Sequence, residues 1–337
     1  MDFLKPGPKN LISDVKGILV GNSENQFVNT GTTVLTSEEP FISSYKVLGG
    51  APGTRETDLL EPDKLVEKID AIVLSGGSAL GLEAASEVAN QLRKDNRGYP
   101  VGDQRVPIVP SAIIFDLTNG GGKSWEKSPY IDLAIEAYGN AANKFQIGSY
   151  GAGKGAVSGN LKGGLGSASI LIENKFTVGA LIVVNSYGST IVDDQPHFWA
   201  APFEIGSEFG GRGMSKEFNP LQKIRRVSQE NFSRNTVIGV VATDAKLSKS
   251  QCKSLATSAH DGIARAVFPS HTSFDGDLIF SVSTGSKDLS SDPNETLLIS
   301  HAASLCVARA IARGVYHASN SSNDLVPTFK KKFALKA

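Results

Sequence analysis

The junction between Asn235 and Thr236 joins residue types that could carry out peptide-bond chemistry. Thr236 begins an apolar, β-branched run that continues to Asp244, a pattern typical of a strand buried on both faces. A threonine hydroxyl held against the preceding carbonyl can attack it, shift the acyl group from nitrogen to oxygen, and cleave the chain after hydrolysis. The α-amine released on Thr236 would titrate near ~7.7 to 8 and could act as a general base. An ordinary strand start is the alternative interpretation of Thr236.

A second candidate for chemistry is the acidic pair Asp275 and Asp277, which flank one glycine. In an extended segment, side chains two residues apart point the same way, so this spacing presents two carboxylates on one face. Such a pair suits catalysis or metal binding, and a solvent-facing Asp-Gly turn is the alternative. His271 could complete a metal site, but no second His or Cys lies at ligand spacing. The pattern therefore favours a structural histidine, and we predict no metal.

Composition limits the classes of partner. The 337 residues are 40% hydrophobic, enough for one large core or two modest ones, and 34 basic residues balance 34 acidic ones. A zero formal charge gives no electrostatic reason to expect nucleic acid or an anionic membrane, and Lys330–Lys332 is typical of a solvated tail. Cys252 and Cys306 occupy apolar positions of predicted helices. With no leader pattern at the N-terminus and no apolar stretch approaching a span, we expect a cytoplasmic protein without a membrane segment.

The elements that would position these residues can be predicted from local patterns. Residues 71–74 indicate a buried strand, which is followed by a tight turn at Gly76-Gly77-Ser78 and by a helix over 79–92. Glycines between a strand and a helix let backbone amides approach another group closely, so Gly76 and Gly77 are candidate substrate-binding residues. Because the turn lacks G-x-S-x-G spacing, Ser78 is interpreted as a pocket wall or helix cap.

The remaining elements follow from turn and cap signals. Residues 170–172 and 176–184 predict a hairpin that ends at Asn185, and residues 190–234 indicate a long surface connection. Ser248 with Gln251 predicts the start of a helix that Pro269 ends, and Asp292 followed by a proline predicts the start of the last helix.

Two glycine-rich stretches resemble phosphate loops but depart from the pattern. For residues 119–124 the first glycine of G-x-x-x-x-G-K-[ST] would fall on Leu117, and for residues 148–155 Gly155 stands where Ser or Thr is needed. Residues 151–156 fit G-x-G-x-x-A but follow a segment that makes a poor buried strand. A non-enzymatic protein that binds a nucleotide or phosphate with this loop is therefore an alternative hypothesis.

The motifs together resemble the DmpA family of N-terminal-nucleophile peptidases, which includes L-aminopeptidase/D-esterases, β-aminopeptidases and the nylon-oligomer hydrolase. The resemblance covers nearly the whole chain, and it is specific in combination. It rests on Asn235-Thr236 with residues 238–245, on His260-Asp261-Gly262, Pro269-Ser270-His271-Thr272 and Asp275-Gly276-Asp277, and on the glycine-rich residues 49–57, 74–79 and 162–166.

The resemblance implies an α+β fold, the αββα four-layer sandwich of this family and of the ornithine acetyltransferases. It implies one catalytic domain, residues 1–337, made as a precursor that cuts itself between Asn235 and Thr236. Residues 1–235 would form an α chain and residues 236–337 a β chain, and such protomers would assemble into homo-oligomers. By the same resemblance Thr236 is the nucleophile, Asn185 the oxyanion-stabilising amide, and Asp275 with Asp277 the acidic pair. No cofactor is implied.

The chain departs from the nylon-oligomer branch at two substrate-binding candidates. Asn160 stands where that branch has an active-site lysine, and Phe115 where it has a substrate-contacting tyrosine. Whether Lys162 compensates is left open by the sequence. We therefore expect a self-processing threonine hydrolase that releases N-terminal residues from small peptides, amides or esters. An N-acyltransferase of the ornithine acetyltransferase type is the alternative enzyme.

Overall fold

The computed structural model describes residues 4–217, 219 and 235–335. The strands in these ranges are β1 (Leu4–Pro6), β2 (Leu19–Asn25), β3 (Thr30–Val47), β4 (Thr54–Arg55), β5 (Lys68–Ser75), β6 (Tyr99–Val101), β7 (Gln104–Val106), β8 (Ser111–Ile113), β9 (Val157–Ser158), β10 (Leu161–Lys162), β11 (Gly164–Ile172), β12 (Phe176–Asn185), β13 (Thr236–Ala245) and β14 (Leu278–Lys287). The helices are α1 (Glu83–Lys94), α2 (Tyr130–Gly139), α3 (Lys249–Ala266), α4 (Pro293–Tyr316) and α5 (Phe329–Lys332).

Within the described ranges, ten strands form one mixed sheet in the order β1-β11-β12-β13-β14-β3-β5-β8-β4, with β2 paired to β3 beside this path. The β13–β14 and β5–β8 pairs are parallel, and the other pairs in this sheet are antiparallel. The long strand β3 connects the two halves of the sheet, because it pairs with β14 through its second half and with β2 and β5 mainly through its first. The fold is therefore α+β, as predicted.

The core divides into three apolar clusters. One lies among α3, α4 and the strands β11 to β14, and a second joins side chains of β3 and β5 to those of β11 to β14. The third packs α1 and α2 against β3 and β5. Strand β13 contributes to two of these clusters, since Val237 and Val241 belong to the first while Ile238 and Val240 belong to the second. The prediction that this strand is buried on both faces is therefore confirmed.

Several local predictions are confirmed. The hairpin is formed by β11 and β12 and ends at Asn185. The Ser248 hydroxyl accepts a hydrogen bond from the Gln251 amide while the Gln251 side chain bonds back, a complete capping box at the start of α3. Asp292 caps α4, whose first residue is Pro293. Cys252 and Cys306 are buried free thiols.

Other predictions need correction. Residues 190–217 are not only a surface connection, because Phe198 and Phe209 lie in the first core cluster, where they pack edge to face. Residues 218 and 220–234, which complete the predicted connection, lie outside the described residues. Helix α1 begins at Glu83, later than predicted, because Ser78 has a left-handed φ of 52° and starts a 3-10 turn.

An apolar and a basic segment near the C-terminus also differ from the prediction. Helix α4 is long and apolar enough to cross a membrane by length and composition, which the prediction of no such stretch overlooked. Its side chains belong to the first core cluster, packed against α3, β11 and β12, as expected for the core helix of a globular domain. Lys330–Lys332 form the helical turn α5, which Thr328 caps, and not a loose tail.

Candidate active site

Three chain segments meet at the end of the sheet where β13 begins. Because β12 and β13 are antiparallel, the last residue of β12, Asn185, is directly opposite Thr236. Because β13 and β14 are parallel, the residues before β14 also lie at this end, and Asn235 forms a parallel bridge with Asp275. Sheet topology therefore brings together Thr236, Asn185 and the acidic pair, which are far apart in sequence.

The hydroxyl of Thr236 lies against the carbonyl it would have to attack. Thr236 is 4% exposed, and its Oγ1 donates to the Asn235 carbonyl oxygen at 2.5 Å. The same oxygen accepts a hydrogen bond from the Gly276 amide at 2.9 Å. The β-branched side chain has few χ1 rotamers in a strand, so the hydroxyl is held in place by the backbone itself.

The acidic pair is buried, so the solvent-facing turn interpretation is wrong. Asp275 is 2% exposed and Asp277 1%. One oxygen of Asp275 accepts from the Tyr187 amide at 3.1 Å, and the other accepts from the Thr272 hydroxyl at 2.5 Å. Burial, followed by the negative charge of Asp277, raises the pKa of Asp275. The two carboxylates are therefore an electrostatically coupled pair beside Thr236.

Asp277 connects the nucleophile strand to a histidine. Its Oδ1 accepts from the Val237 amide at 2.8 Å, and its Oδ2 lies 2.8 Å from Nδ1 of His271 and accepts from the His271 amide at 3.0 Å. The His271 ring packs edge to face on His260 with 5.0 Å between ring centroids, and burial lowers the pKa of His260 to about 4. His271 is therefore a partner of the acidic pair, a contact that its sequence position did not reveal.

The described part of the chain contains no group of three or more His, Cys, Asp or Glu side chains arranged to hold a metal ion. His271, which the sequence left as a possible metal ligand, has its Nδ1 2.8 Å from Oδ2 of Asp277.

The contacts of Asn185 determine the orientation of its amide. A backbone N–H can only donate, so the atom 2.9 Å from the Val157 amide is Oδ1, and the atom 3.2 Å from the Phe115 carbonyl oxygen must be Nδ2. Oδ1 also accepts from Nδ2 of Asn119 at 3.1 Å, which in turn donates to the Gly155 carbonyl at 2.9 Å. Nδ2 of Asn185 keeps a second hydrogen, as an oxyanion donor requires. Asn119 is the positioning residue that sequence reasoning missed.

Gly76 and Gly77 serve packing, which corrects their interpretation as substrate-binding residues. Both are buried, and the Gly77 amide donates to the carboxylate of the buried Asp116 at 2.8 Å. A Cβ on Gly76 would lie 2.2 Å from an Asp116 oxygen, and one on Gly77 would lie 2.1 Å from the ring of Tyr130. The Gly76 amide donates to the Gly31 carbonyl oxygen at 2.9 Å, so both backbone N–H groups are bonded within the protein and neither glycine has room for a Cβ. Burial raises the pKa of Asp116.

The other two substrate-binding candidates have different environments. Phe115 is half-buried, and its backbone carbonyl accepts a hydrogen bond from Nδ2 of Asn185, so this residue contacts the site through its backbone. Asn160 is exposed in the turn between β9 and β10 and donates to Asp194 at 3.0 Å. Lys162 is buried and forms an ion pair with Asp324 while donating to the Lys154 carbonyl at 3.0 Å. Its ammonium is engaged in holding the fold.

The glycine-rich loop at residues 148–155 is closed by its own packing. Residues 151–153 form a buried 3-10 turn against β2 and β3. A Cβ on Gly153 would lie 2.1 Å from the Leu165 amide, and one on Gly155 would lie 2.3 Å from the Asn29 carbonyl oxygen. The glycines therefore allow backbone segments to pack together, which removes the structural basis for a nucleotide site in this loop.

Thr236 at the start of a strand, the opposed Asn185 amide and a buried acidic pair thus meet at one end of a mixed sheet. The same fold occurs in solved structures. A structure described as an L-aminopeptidase D-Ala-esterase/amidase from Ochrobactrum anthropi, a variant of the Ntn hydrolase fold, superposes with a TM-score of 0.70 at 20% identity, over 94% of this chain and 88% of that one.

The chain belongs to peptidase family S58, whose model matches residues 10–324. It is 37% identical to an uncharacterized aminopeptidase of Mycobacterium tuberculosis over 349 residues, which span 96% of this chain and 98% of the relative. A 6-aminohexanoate-oligomer endohydrolase of Kocuria sp. is 25% identical over 307 residues, 86% of this chain and 79% of that protein. The protein is thus an enzyme of a peptidase and amidohydrolase family, and the resemblance to the DmpA family is confirmed.

Proposed function

We propose that this protein is a self-processing N-terminal threonine hydrolase that releases N-terminal residues from small peptides, amides or esters. The single observation that carries the proposal is the 2.5 Å hydrogen bond between Oγ1 of Thr236 and the carbonyl oxygen of Asn235. That contact holds the hydroxyl beside the peptide bond whose cleavage would create the catalytic amine.

Self-cleavage would proceed in two steps. Oγ1 of Thr236 attacks the Asn235 carbonyl carbon, its proton passes to the Thr236 nitrogen, and the C–N bond breaks to leave an ester. Water then hydrolyses the ester, which yields a carboxylate on Asn235 and restores the hydroxyl beside a free α-amine. The products are an α chain of residues 1–235 and a β chain of residues 236–337, within one catalytic domain.

In turnover, Oγ1 of Thr236 attacks the substrate carbonyl while the α-amine takes up the hydroxyl proton and returns it to the leaving group. Nδ2 of Asn185 stabilises the developing oxyanion, a contribution of about 3 to 4 kcal/mol. Asp275 and Asp277 orient the new amine, and they supply negative charge that would attract a substrate ammonium. The contact of Asp277 with the amide of the next residue, Val237, supports this assignment.

The family and the surroundings of the site support this substrate class. Aminopeptidase relatives match almost the whole chain, which favours removal of N-terminal residues. Phe115 and Asn160 differ from the residues of the nylon-oligomer branch, and Asn160 is bonded to Asp194. Nylon oligomers are therefore poor candidates.

We also propose a cytoplasmic homo-oligomer of αβ protomers that needs no cofactor. The three core clusters agree with the αββα arrangement of layers.

The test asks whether the peptide bond between Asn235 and Thr236 is cleaved. We expect the purified protein to separate on a denaturing gel into residues 1–235 and 236–337, with mass analysis finding threonine at the second start. Thr236→Ala should remain one inactive chain, because cleavage and turnover need the same oxygen. Thr236→Ser is the matched control, since it keeps the hydroxyl and loses only the methyl group. An uncut wild-type chain that hydrolyses aminoacyl amides at full rate would contradict the mechanism.

A further inference from the structure

The peptide bond before Thr236 is aligned on the segment that carries the acidic pair. The Asn235 amide donates to the Phe274 carbonyl oxygen at 3.4 Å, and the Gly276 amide donates back to the Asn235 carbonyl oxygen at 2.9 Å. One residue further on, the Val237 amide donates to Asp277 at 2.8 Å. The junction is thus held by backbone and side-chain bonds on both sides of the bond to be broken.

The Gly276 amide is positioned by a loop on its other side. The Asp275 carbonyl accepts from the Ala51 amide at 2.8 Å, and the Asp277 carbonyl accepts from the Leu48 amide at 3.0 Å and from the Gly49 amide at 3.2 Å. Because these bonds hold the residues before and after Gly276, its N–H direction is set before any reaction begins. Donors that need no reorganisation are the ones that stabilise developing charge best.

From this geometry we propose that the backbone amide of Gly276 is the oxyanion donor for self-cleavage. The inference rests on the proposed function and deepens it. When Oγ1 of Thr236 adds to the Asn235 carbonyl carbon, the π electrons move to the carbonyl oxygen, which is already hydrogen-bonded to this N–H. The hydroxyl proton goes to the Thr236 nitrogen as the C–N bond breaks, and the oxygen then returns to a carbonyl in the ester.

The absence of a side chain at residue 276 fits this role. A Cβ there would lie 2.9 Å from Oγ1 of Thr236 and 2.6 Å from the Ala51 carbonyl oxygen. Any other residue would therefore crowd the nucleophile or displace the loop that orients the amide. The segment would have two tasks, since its amide acts on the precursor while its flanking carboxylates act on the amine produced by cleavage.

The test replaces the backbone N–H of Gly276 by an oxygen atom. In cell-free translation, a suppressor tRNA charged with glycolic acid replaces Gly276 by an ester unit that has no amide hydrogen. We expect self-cleavage of the full chain to slow by about 10²- to 10³-fold, as on loss of one oxyanion donor. Glycolic acid at Gly148 is the matched control, because it removes a backbone hydrogen bond of the same kind, from the Gly148 amide to the Leu165 carbonyl at 2.7 Å, that does not hold the junction or the segment 274–277. That variant should cleave within about threefold of the chain with glycine at both positions.

Folding of each chain is checked by its resistance to added protease. If the ester at residue 276 prevents folding, lactic acid at residue 51 is the second variant, because it removes the N–H that holds the Asp275 carbonyl and should slow cleavage relative to the control by loosening the segment that orients the Gly276 amide. A folded chain that lacks the Gly276 N–H or the Ala51 N–H and still cleaves within about threefold of the control would overturn the inference. Failure of the unmodified chain to cleave would instead count against the proposed function, so the two failures are distinguishable.

Discussion

The buried carboxylates of Asp275 and Glu208 have opposite kinds of neighbour. Asp275, beside Thr236, accepts hydrogen bonds from the Tyr187 amide and from Thr272, and a second carboxylate lies next to it. Glu208 receives a two-pronged contact from the guanidinium of Arg309, at 2.6 and 2.9 Å. Both clusters are inside the protein, but only the second contains a permanently charged partner for its carboxylate.

The pKa values differ accordingly. Burial and the neighbouring carboxylate both raise the pKa of Asp275. Burial alone would raise the pKa of Glu208 as well, but the hydrogen bond and the charge of Arg309 outweigh it, and the pKa is lowered. The comparison separates a carboxylate whose charged form is stabilised by a guanidinium from one whose charged form is disfavoured by burial and a neighbouring carboxylate.

The largest effect on stability should come from the Glu208 cluster. Arg309 also donates to Asn10 at 2.8 Å and to the Ser169 carbonyl at 3.0 Å, so it joins α4 to two segments of the proposed α chain. We expect Arg309→Met to lower the unfolding free energy by about 3 to 5 kcal/mol, because it leaves a buried carboxylate unpaired. Chemical unfolding in the uncleaved Thr236→Ala background measures this for a single chain.

The control for that measurement is the exposed Lys127–Asp132 pair, where both side chains are more than half exposed. Lys127→Met should cost less than about 1 kcal/mol. Equal losses at the two sites would remove the distinction between the clusters. In the cleavable background, Arg309→Met chains that remain folded should still cut themselves, because Arg309 has no contact with the junction among its hydrogen bonds.

The next largest effect is on kcat and comes from the residues at the end of the sheet where β13 begins. Asn185→Ala should lower kcat for an aminoacyl p-nitroanilide by about 10²- to 10³-fold, since it removes an oxyanion donor. It should lower the unfolding free energy by only about 1 to 3 kcal/mol, because it leaves the Val157 amide and the Phe115 carbonyl without this partner. Asn119→Ala should lower kcat by a smaller factor, because it acts only through the orientation of Asn185. Asn160→Ala, in an exposed turn, is the control and should stay within about twofold of wild type. An Asn185→Ala enzyme with more than a tenth of wild-type kcat would contradict the assigned role.

The smallest expected effect is a change in how the free energy of unfolding depends on pH. For Asp275 the folded state binds its proton more tightly than the unfolded state, so its contribution to stability falls as pH rises from the ordinary value of 3.8 through the raised pKa. For Glu208 the reverse holds. Its contribution is present above the ordinary value of 4.5 and is lost as pH falls through the lowered pKa.

Unfolding free energies measured against pH in the Thr236→Ala background should therefore change slope in opposite directions in Asp275→Asn and Glu208→Gln. Each pKa unit of difference between the folded and unfolded states corresponds to about 1.4 kcal/mol. Slopes that change in the same direction would contradict the assignment of one protonatable cluster and one charged cluster.

Local patterns were sufficient wherever a few neighbouring residues decide the structure. The hairpin that ends at Asn185 and the capping box at Ser248 depend on turn and cap chemistry within a few positions, and both are observed. The alternation of β13 between two cores was likewise predictable from its apolar run. The same patterns could not reveal that Phe198 and Phe209 join the core, because no period marks them in an irregular segment.

By itself, the sequence determined the candidate nucleophile, the acidic pair and the amide, together with the family they indicate. Only the tertiary structure decided their partners. The pattern at Gly76 and Gly77 predicts ligand contacts, whereas Asp116 and Tyr130 lie against them in the structure. His271 and Asn119 lie beside the site only through their contacts with Asp277 and Asn185. The physical reason is that these contacts join segments many residues apart, and which side chains meet at the end of the sheet depends on strand order and register.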